Sequence, residues 1–302
     1  MSWWRKLSKT RKIVYSVAVV YVIGLVAFAL IFGLKGHKNN SYSPVAEFRL
    51  LTWAHLFGPI DFNKGVLYLL MAAVLSVGVM VWVARRMKAR PNRVQTAVEM
   101  AYGLCSSLAN DNMDQRMAKK WFPLICTLFV FILASNLLGY IPLPVDSGAS
   151  FRLFGASIPS FQIYAATTNV AFPLVLALIV FFAYNIEGVR AHGSVGYLKS
   201  LVPEGVGGGM VLFIFPLEIV SNFLRLISLT IRLWANLLAG HLLIGFMAGD
   251  LAVLMGMQFV GWLTLPFGIV IFLFEAVLIA GLQAFIFAIL AAIYLGGAVT
   301  RH

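Results

Sequence analysis

Arg232 lies inside an almost unbroken apolar run, Leu229-Thr230-Ile231-Arg232-Leu233-Trp234-Ala235-Asn236-Leu237-Leu238. Its guanidinium keeps its proton in any protein setting. A fixed cation near the centre of a bilayer costs about 2.5–3.5 kcal/mol on insertion scales, so a residue placed there points to function. The polar residues upstream and downstream share its register. Glu218, Ser221, Arg225, Ser228, Arg232 and Asn236 follow at steps of three, four, three, four and four, which draws one stripe along an α-helix. Lipid cannot satisfy such a line, so it must face protein or water. Glu218 and Arg232 are about 21 Å apart along the axis, so water can reach the carboxylate without touching the cation. Further on, His241, Glu275 and Gln283 are the polar groups of the last two apolar segments. In an antiparallel hairpin His241 and Glu275 fall at similar depth, and an imidazole exchanges protons near neutral pH.

Each residue also has a plainer reading. Arg232 can sit in a structural ion pair or snorkel to the surface. Glu218 can be the partner of Arg225, and His241 with Glu275 a buried pair holding two helices. Gln283 can simply hydrogen-bond across the hairpin.

The elements that carry these residues belong to an integral membrane protein. Of 302 residues 61% are hydrophobic and 11% charged, against about 45–50% and about 25% in a soluble domain. The formal net charge is +12, but five of the 23 Lys and Arg lie in 1–12 and eight in 85–120. Only Arg152 lies in 142–168, and none lies in 247–300. Basic residues on alternate loops are the positive-inside pattern and mark lipid headgroups, not nucleic acid, as the neighbour. Cys105 and Cys126 have no CxxC spacing and no nearby histidine, so neither a metal site nor a disulfide framework is expected.

Six spans are predicted, at about 13–34, 66–84, 121–141, 169–186, 210–248 and 262–298. The first follows a basic start but is longer than a signal-peptide core and has no A-x-A-like site after it, so it reads as retained. Residues 94–108 carry apolar positions at helical spacing, interrupted by Gln95, Thr96 and Glu99, and read as an amphipathic helix in the inner interface. Residues 35–65 and 142–168 read as outer loops. The glycines at 205 and 207–209 lack a following Lys-Ser/Thr, so they form a connector and not a phosphate cradle. No cofactor is expected. The last two segments, roughly 58 Å and 55 Å as helices, exceed a hydrocarbon core of about 30 Å. Two steeply inclined helices, joined as a hairpin near 250–261, fit best. The fold class is an all-α membrane protein with both termini inside.

The run Ser228 to His241 strongly resembles subunit a of F-type ATP synthases. Supporting matches are Val94-Gln95-Thr96-Ala97-Val98-Glu99, Ser135-Asn136-Leu137-Leu138-Gly139-Tyr140-Ile141-Pro142 and Leu282-Gln283-Ala284-Phe285-Ile286-Phe287. The variant with His241 is most similar to mitochondrial and alphaproteobacterial members. The resemblance divides the chain into 1–61, an additional helix and outer loop, and 62–302, the channel domain. It implies a non-catalytic stator subunit that carries protons through two offset half-channels against a rotating ring of c-type proteolipids. Other implied partners are b-type peripheral-stalk subunits, further ATP synthase subunits and lipid, in a mitochondrial inner or bacterial plasma membrane. On this likeness Arg232 faces the ring carboxylate and keeps the half-channels apart. Glu218 lines the inner path, with Ser221, Arg225 and Ser228 as further lining. His241, Glu275 and Gln283 serve the outer path, and Asn236 lines the surface beside Arg232.

Two departures stand out. The family usually places its carboxylate or His seven residues before the glutamine, whereas Glu275 is eight before Gln283, a shift of about 100° that a π-bulge would absorb. Many bacterial members carry an Asp before the fourth span, and Tyr164-Ala165-Ala166-Thr167-Thr168-Asn169 has none. The competing readings are a self-contained secondary transporter, for which the halves show no internal repeat, and a structural scaffold.

Overall fold

The computed structural model describes residues 8–32, 48, 50, 52–57, 60–153, 156–200 and 210–299. The glycine connector, the first basic residues Arg5 and Lys6, and His37 and His302 lie outside them. The elements in chain order are α1 (Lys9–Phe32), β1 (Thr52–Phe57), β2 (Ile60–Asn63), α2 (Lys64–Arg85), α3 (Arg93–Asn112), α4 (Gln115–Gly139), β3 (Leu143–Leu153), β4 (Ala156–Gln162), α5 (Ala171–His192), α6 (Ser194–Ser200) and α7 (Met210–Gly245). After a π-turn at Phe246–Asp250 come α8 (Leu251–Met255) and α9 (Gln258–Phe274). A second π-turn at Glu275–Ile279 leads into α10 (Ala280–Gly297).

Six helical segments among the described residues are long and apolar enough to cross a membrane. They are the six expected, with ends moved by a few residues. The last two run over 46 and 39 residues, roughly 69 and 58 Å at helical rise. Neither is cut in two, so a membrane about 30 Å thick obliges both to lie far from its normal. The helix at 93–112 begins where the sequence indicates, with the Asn92 side chain accepting from Gln95 N at 2.8 Å.

The two connections read as outer loops differ from expectation in their structure. They contain two antiparallel hairpins, β1–β2 and β3–β4. The second pairs Phe151 with Ile158 and Leu153 with Ala156, and its register shifts between Pro144 and Asp146 and again before Ser150. Such irregularities break the period-two alternation that reveals a strand, so the Gly, Ser and Pro content dominated the sequence pattern.

Packing divides into two units, 1–47 with 240–274, and 48–239 with 275–302. In the larger one α4 is central, touched by α2, α3 and α10. Its core includes Ile125, Leu128 and Ile132 of α4, Leu176 and Val180 of α5, and Phe287, Ala288 and Ala291 of α10. The alanines let α10 come close. In the smaller unit Gly256 takes a left-handed φ of 64°, a conformation cheap only for glycine, and so turns α8 back into α9. The Thr264 hydroxyl then donates to the Met247 carbonyl of the π-turn at 2.7 Å. Pro266 lies inside α9, and having no N–H it offers no helical bond to the carbonyl of Trp262. The hydroxyl of Tyr21, from α1, donates to that carbonyl.

Gly139 ends α4 against the 3₁₀ turn Ala166–Thr168; a Cβ there would lie 2.4 Å from Ala165 Cβ and 2.8 Å from its Cα. Gly139→Ala is therefore expected to destabilise the protein by about 1–3 kcal/mol through overpacking. Gly103→Ala, with nothing within 4 Å of the added carbon, should be neutral or stabilising by up to about 1 kcal/mol. Thermal unfolding midpoints of the two variants in detergent check the contrast.

Candidate functional site

A row of leucines sets the orientation of α7. Leu229, Leu233 and Leu237 are buried in the larger core, at steps of four that keep one face inward. The polar stripe sits one residue earlier, about 100° around the helix. It is consequently turned to the rim: Arg225, Ser228 and Asn236 are exposed, and Glu218, Ser221 and Arg232 half-buried. Arg232 Nη2 lies 3.4 Å from Ser228 Oγ, and among the described residues no carboxylate forms an ion pair with it. The Trp234 indole N–H donates to the Thr168 carbonyl at 2.9 Å, which fixes the helix rotation two residues away. The surface around the stripe is large and apolar, with Leu217, Val220, Phe223, Leu224, Ile227 and Ile231 all exposed. Glu218 and Arg225 do not pair; Arg225 instead lies over the Tyr294 ring at 5.6 Å.

Glu275 opens the second π-turn. In an uninterrupted α-helix eight residues would leave it about 80° from Gln283. A π-turn takes up one extra residue and returns both to one face, where Glu275 is 8% and Gln283 4% exposed. The Tyr140 hydroxyl donates to Glu275 Oε2 at 3.0 Å. One turn earlier on α4, buried Asn136 donates to the Ala280 carbonyl at 3.3 Å and accepts from the Thr167 hydroxyl at 3.1 Å. The segment 164–169 thus contributes the Thr167 hydroxyl to this wall where a carboxylate is absent.

Two polar groupings escaped the sequence reading. The Tyr184 hydroxyl donates to Asn222 Oδ1 at 2.5 Å, and Asn185 Oδ1 accepts from the Tyr197 hydroxyl at 2.8 Å and from Asn222 Nδ2 at 3.1 Å. This knot ties α5 and α6 to α7 next to the stripe. Burial raises the Tyr197 phenol above its ordinary range, and the Arg225 charge opposes that rise. The second grouping is Lys120, whose Nζ lies 2.7 Å from both oxygens of Glu187. Polar residues inside apolar spans were the available signal, and Asn185 and Glu187 carry it. His241 is 4% exposed and belongs to the smaller unit.

Residues 66–296 match the family described as ATP synthase A chain. The chain belongs to that family. It is 33% identical over 270 residues to the ATP synthase subunit a of Acidiphilium cryptum, covering 88% of this chain and 99% of that relative. With the subunit a of Rhizobium rhizogenes it shares 34% over 247 residues, 80% of this chain and 90% of the relative. The subunit a of Rubrobacter xylanophilus is 31% identical over 238 residues, 78% and 83% of the two chains. The matched region contains the whole polar stripe, Glu275, Gln283 and both π-turns.

Asn136→Leu removes the acceptor for Thr167 and the donor to Ala280 at a fully buried position. The Ala280 carbonyl keeps its helical donor, whereas the Thr167 hydroxyl loses its acceptor, so a loss of about 1–3 kcal/mol is expected, read as a lower unfolding midpoint.

Proposed function

We propose that Arg232 is the charge that keeps two proton paths apart, against a rotating ring of c-type proteolipid subunits, in a chain acting as the proton-translocating stator subunit of F-type ATP synthase. One observation carries this reading: Arg232 sits on an open apolar face and forms no ion pair with any carboxylate among the described residues. Covering that face with an apolar partner leaves a desolvated cation, which is strongly unfavourable unless the partner brings a counter-charge. A carboxylate on the partner supplies it, at about 4 kcal/mol for a pair 4 Å apart at an effective dielectric of 20.

The charge then acts in two ways. It attracts a ring carboxylate that has lost its proton and repels a proton that would pass straight across. Protons arrive along the outer path through His241, Glu275 and Gln283, load the ring, and leave along the inner path lined by Glu218 with Ser221, Arg225 and Ser228. Asn236, one turn from Arg232, lines the surface the ring passes. The π-turn that gathers Glu275 and Gln283 on one buried face supports their common role. Each charge crossing the membrane yields about 2.3 kcal/mol per 100 mV, which rotation delivers to catalytic subunits elsewhere. The chain itself catalyses no reaction.

The proposal includes both termini on the matrix or cytoplasmic side, b-type stalk subunits as further partners, and residues 1–61 as a segment distinct from the channel domain. A self-contained transporter would enclose its path between its own helices, whereas this stripe lies open at the rim.

Arg232→Ala is expected to reduce ATP synthesis in sealed vesicles to background while the complex still assembles. Synthesis rates and copurification of the proteolipid ring check it. Near wild-type synthesis in the assembled variant would refute the stator mechanism.

A further inference from the structure

We infer that Tyr140 is a positioning residue for proton uptake, its hydroxyl holding one oxygen of Glu275 so that the other receives the incoming proton. The inference rests on the uptake role proposed for Glu275 and names the group that aims it. Tyr140 is buried and donates to Oε2 at 3.0 Å. The Glu275 side chain makes no other hydrogen bond among the described residues, so Oε1 is the oxygen left for exchange. A carboxylate held at one oxygen has lost most of its rotational freedom about the terminal torsion, which is otherwise broad.

The hydroxyl is itself held firmly. Tyr140 follows the last residue of α4, and its backbone N–H bonds to the Leu137 carbonyl at 3.2 Å. Gly139, just before it, lies so close to Ala165 that no side chain fits. The tyrosine is therefore pinned between the end of α4 and the 3₁₀ turn. On the facing segment the π-turn begins at Glu275 itself. Two independent local irregularities, a helix end without a Cβ and a turn with an extra residue, bring this hydroxyl and this carboxylate together.

The test uses membrane vesicles carrying the whole complex with its soluble head removed, and measures potential-driven proton flux. The variants are Tyr140→Phe, Glu275→Gln and the double substitution. A bond to a carboxylate is worth enough that flux should fall about tenfold in Tyr140→Phe. In the Glu275→Gln background the same change should alter flux less than about twofold, because the group being aimed is gone. Equal fold losses in both backgrounds would mean Tyr140 acts by packing and would overturn the inference.

Infrared difference spectra give a second reading. The carboxyl band that Glu275→Gln removes should move to higher frequency in Tyr140→Phe. If Tyr140→Phe does not assemble, a ring-fluorinated tyrosine at 140 changes hydroxyl acidity with little change of shape, and should move the band the other way. An unmoved band overturns the contact and leaves the uptake role standing. Wild-type flux in Glu275→Gln overturns the uptake role, and with it the inference.

Discussion

A guanidinium on an apolar face, with no carboxylate paired to it among the described residues, is the constraint around which the larger unit is organised. A charge of that kind is tolerated only where its helix cannot roll it into lipid or toward a carboxylate of its own chain. The leucine row and the Trp234–Thr168 bond remove that rotation. The Ser228 hydroxyl is too weak a partner to neutralise the charge. On the proposed reading, what is left to Arg232 is the choice among counter-charges that a partner brings past it. Apolar neighbours keep the dielectric low once a partner covers them, so the pairing is strong enough to select one protonation state over another.

The carboxylate side shows a different economy. Glu275 is buried, where an isolated charge would be costly, and its environment is assembled from hydroxyl and amide groups rather than cations. Tyr140, Asn136 and Thr167 come from α4 and the turn before α5, so one corner of the fold supports both the carboxylate and the backbone of α10. The backbone irregularities follow the same logic. A regular helix from 258 to 297 would have carried Glu275 and Gln283 on faces about 80° apart.

Much of this was legible in the residue pattern. The polar stripe needs only helical periodicity and an intact helix through 210–245, and both hold. The six spans follow from long apolar runs, and the interfacial helix from apolar positions at helical spacing. Glu275 was the revealing case: its offset from Gln283 is one that a local widening of the helix would absorb, and a π-turn is present there. Tyr140 carried no such signal, because its partner lies 135 residues away and a tyrosine near a span end is ordinary at a membrane interface. The knot of Tyr184, Asn185, Tyr197 and Asn222 stayed hidden for the same reason: hydrogen bonds between distant segments leave no periodicity. The hairpins stayed hidden because their register shifts erase the alternation that would have announced them.

Tyr21 lends its hydroxyl to a carbonyl that Pro266 leaves without a helical donor. Inside hydrocarbon every backbone acceptor needs a donor, and here one donor comes from a side chain more than two hundred residues away. The first helix is thereby fastened to α9 through a side chain reaching a backbone acceptor, and not through apolar contact alone.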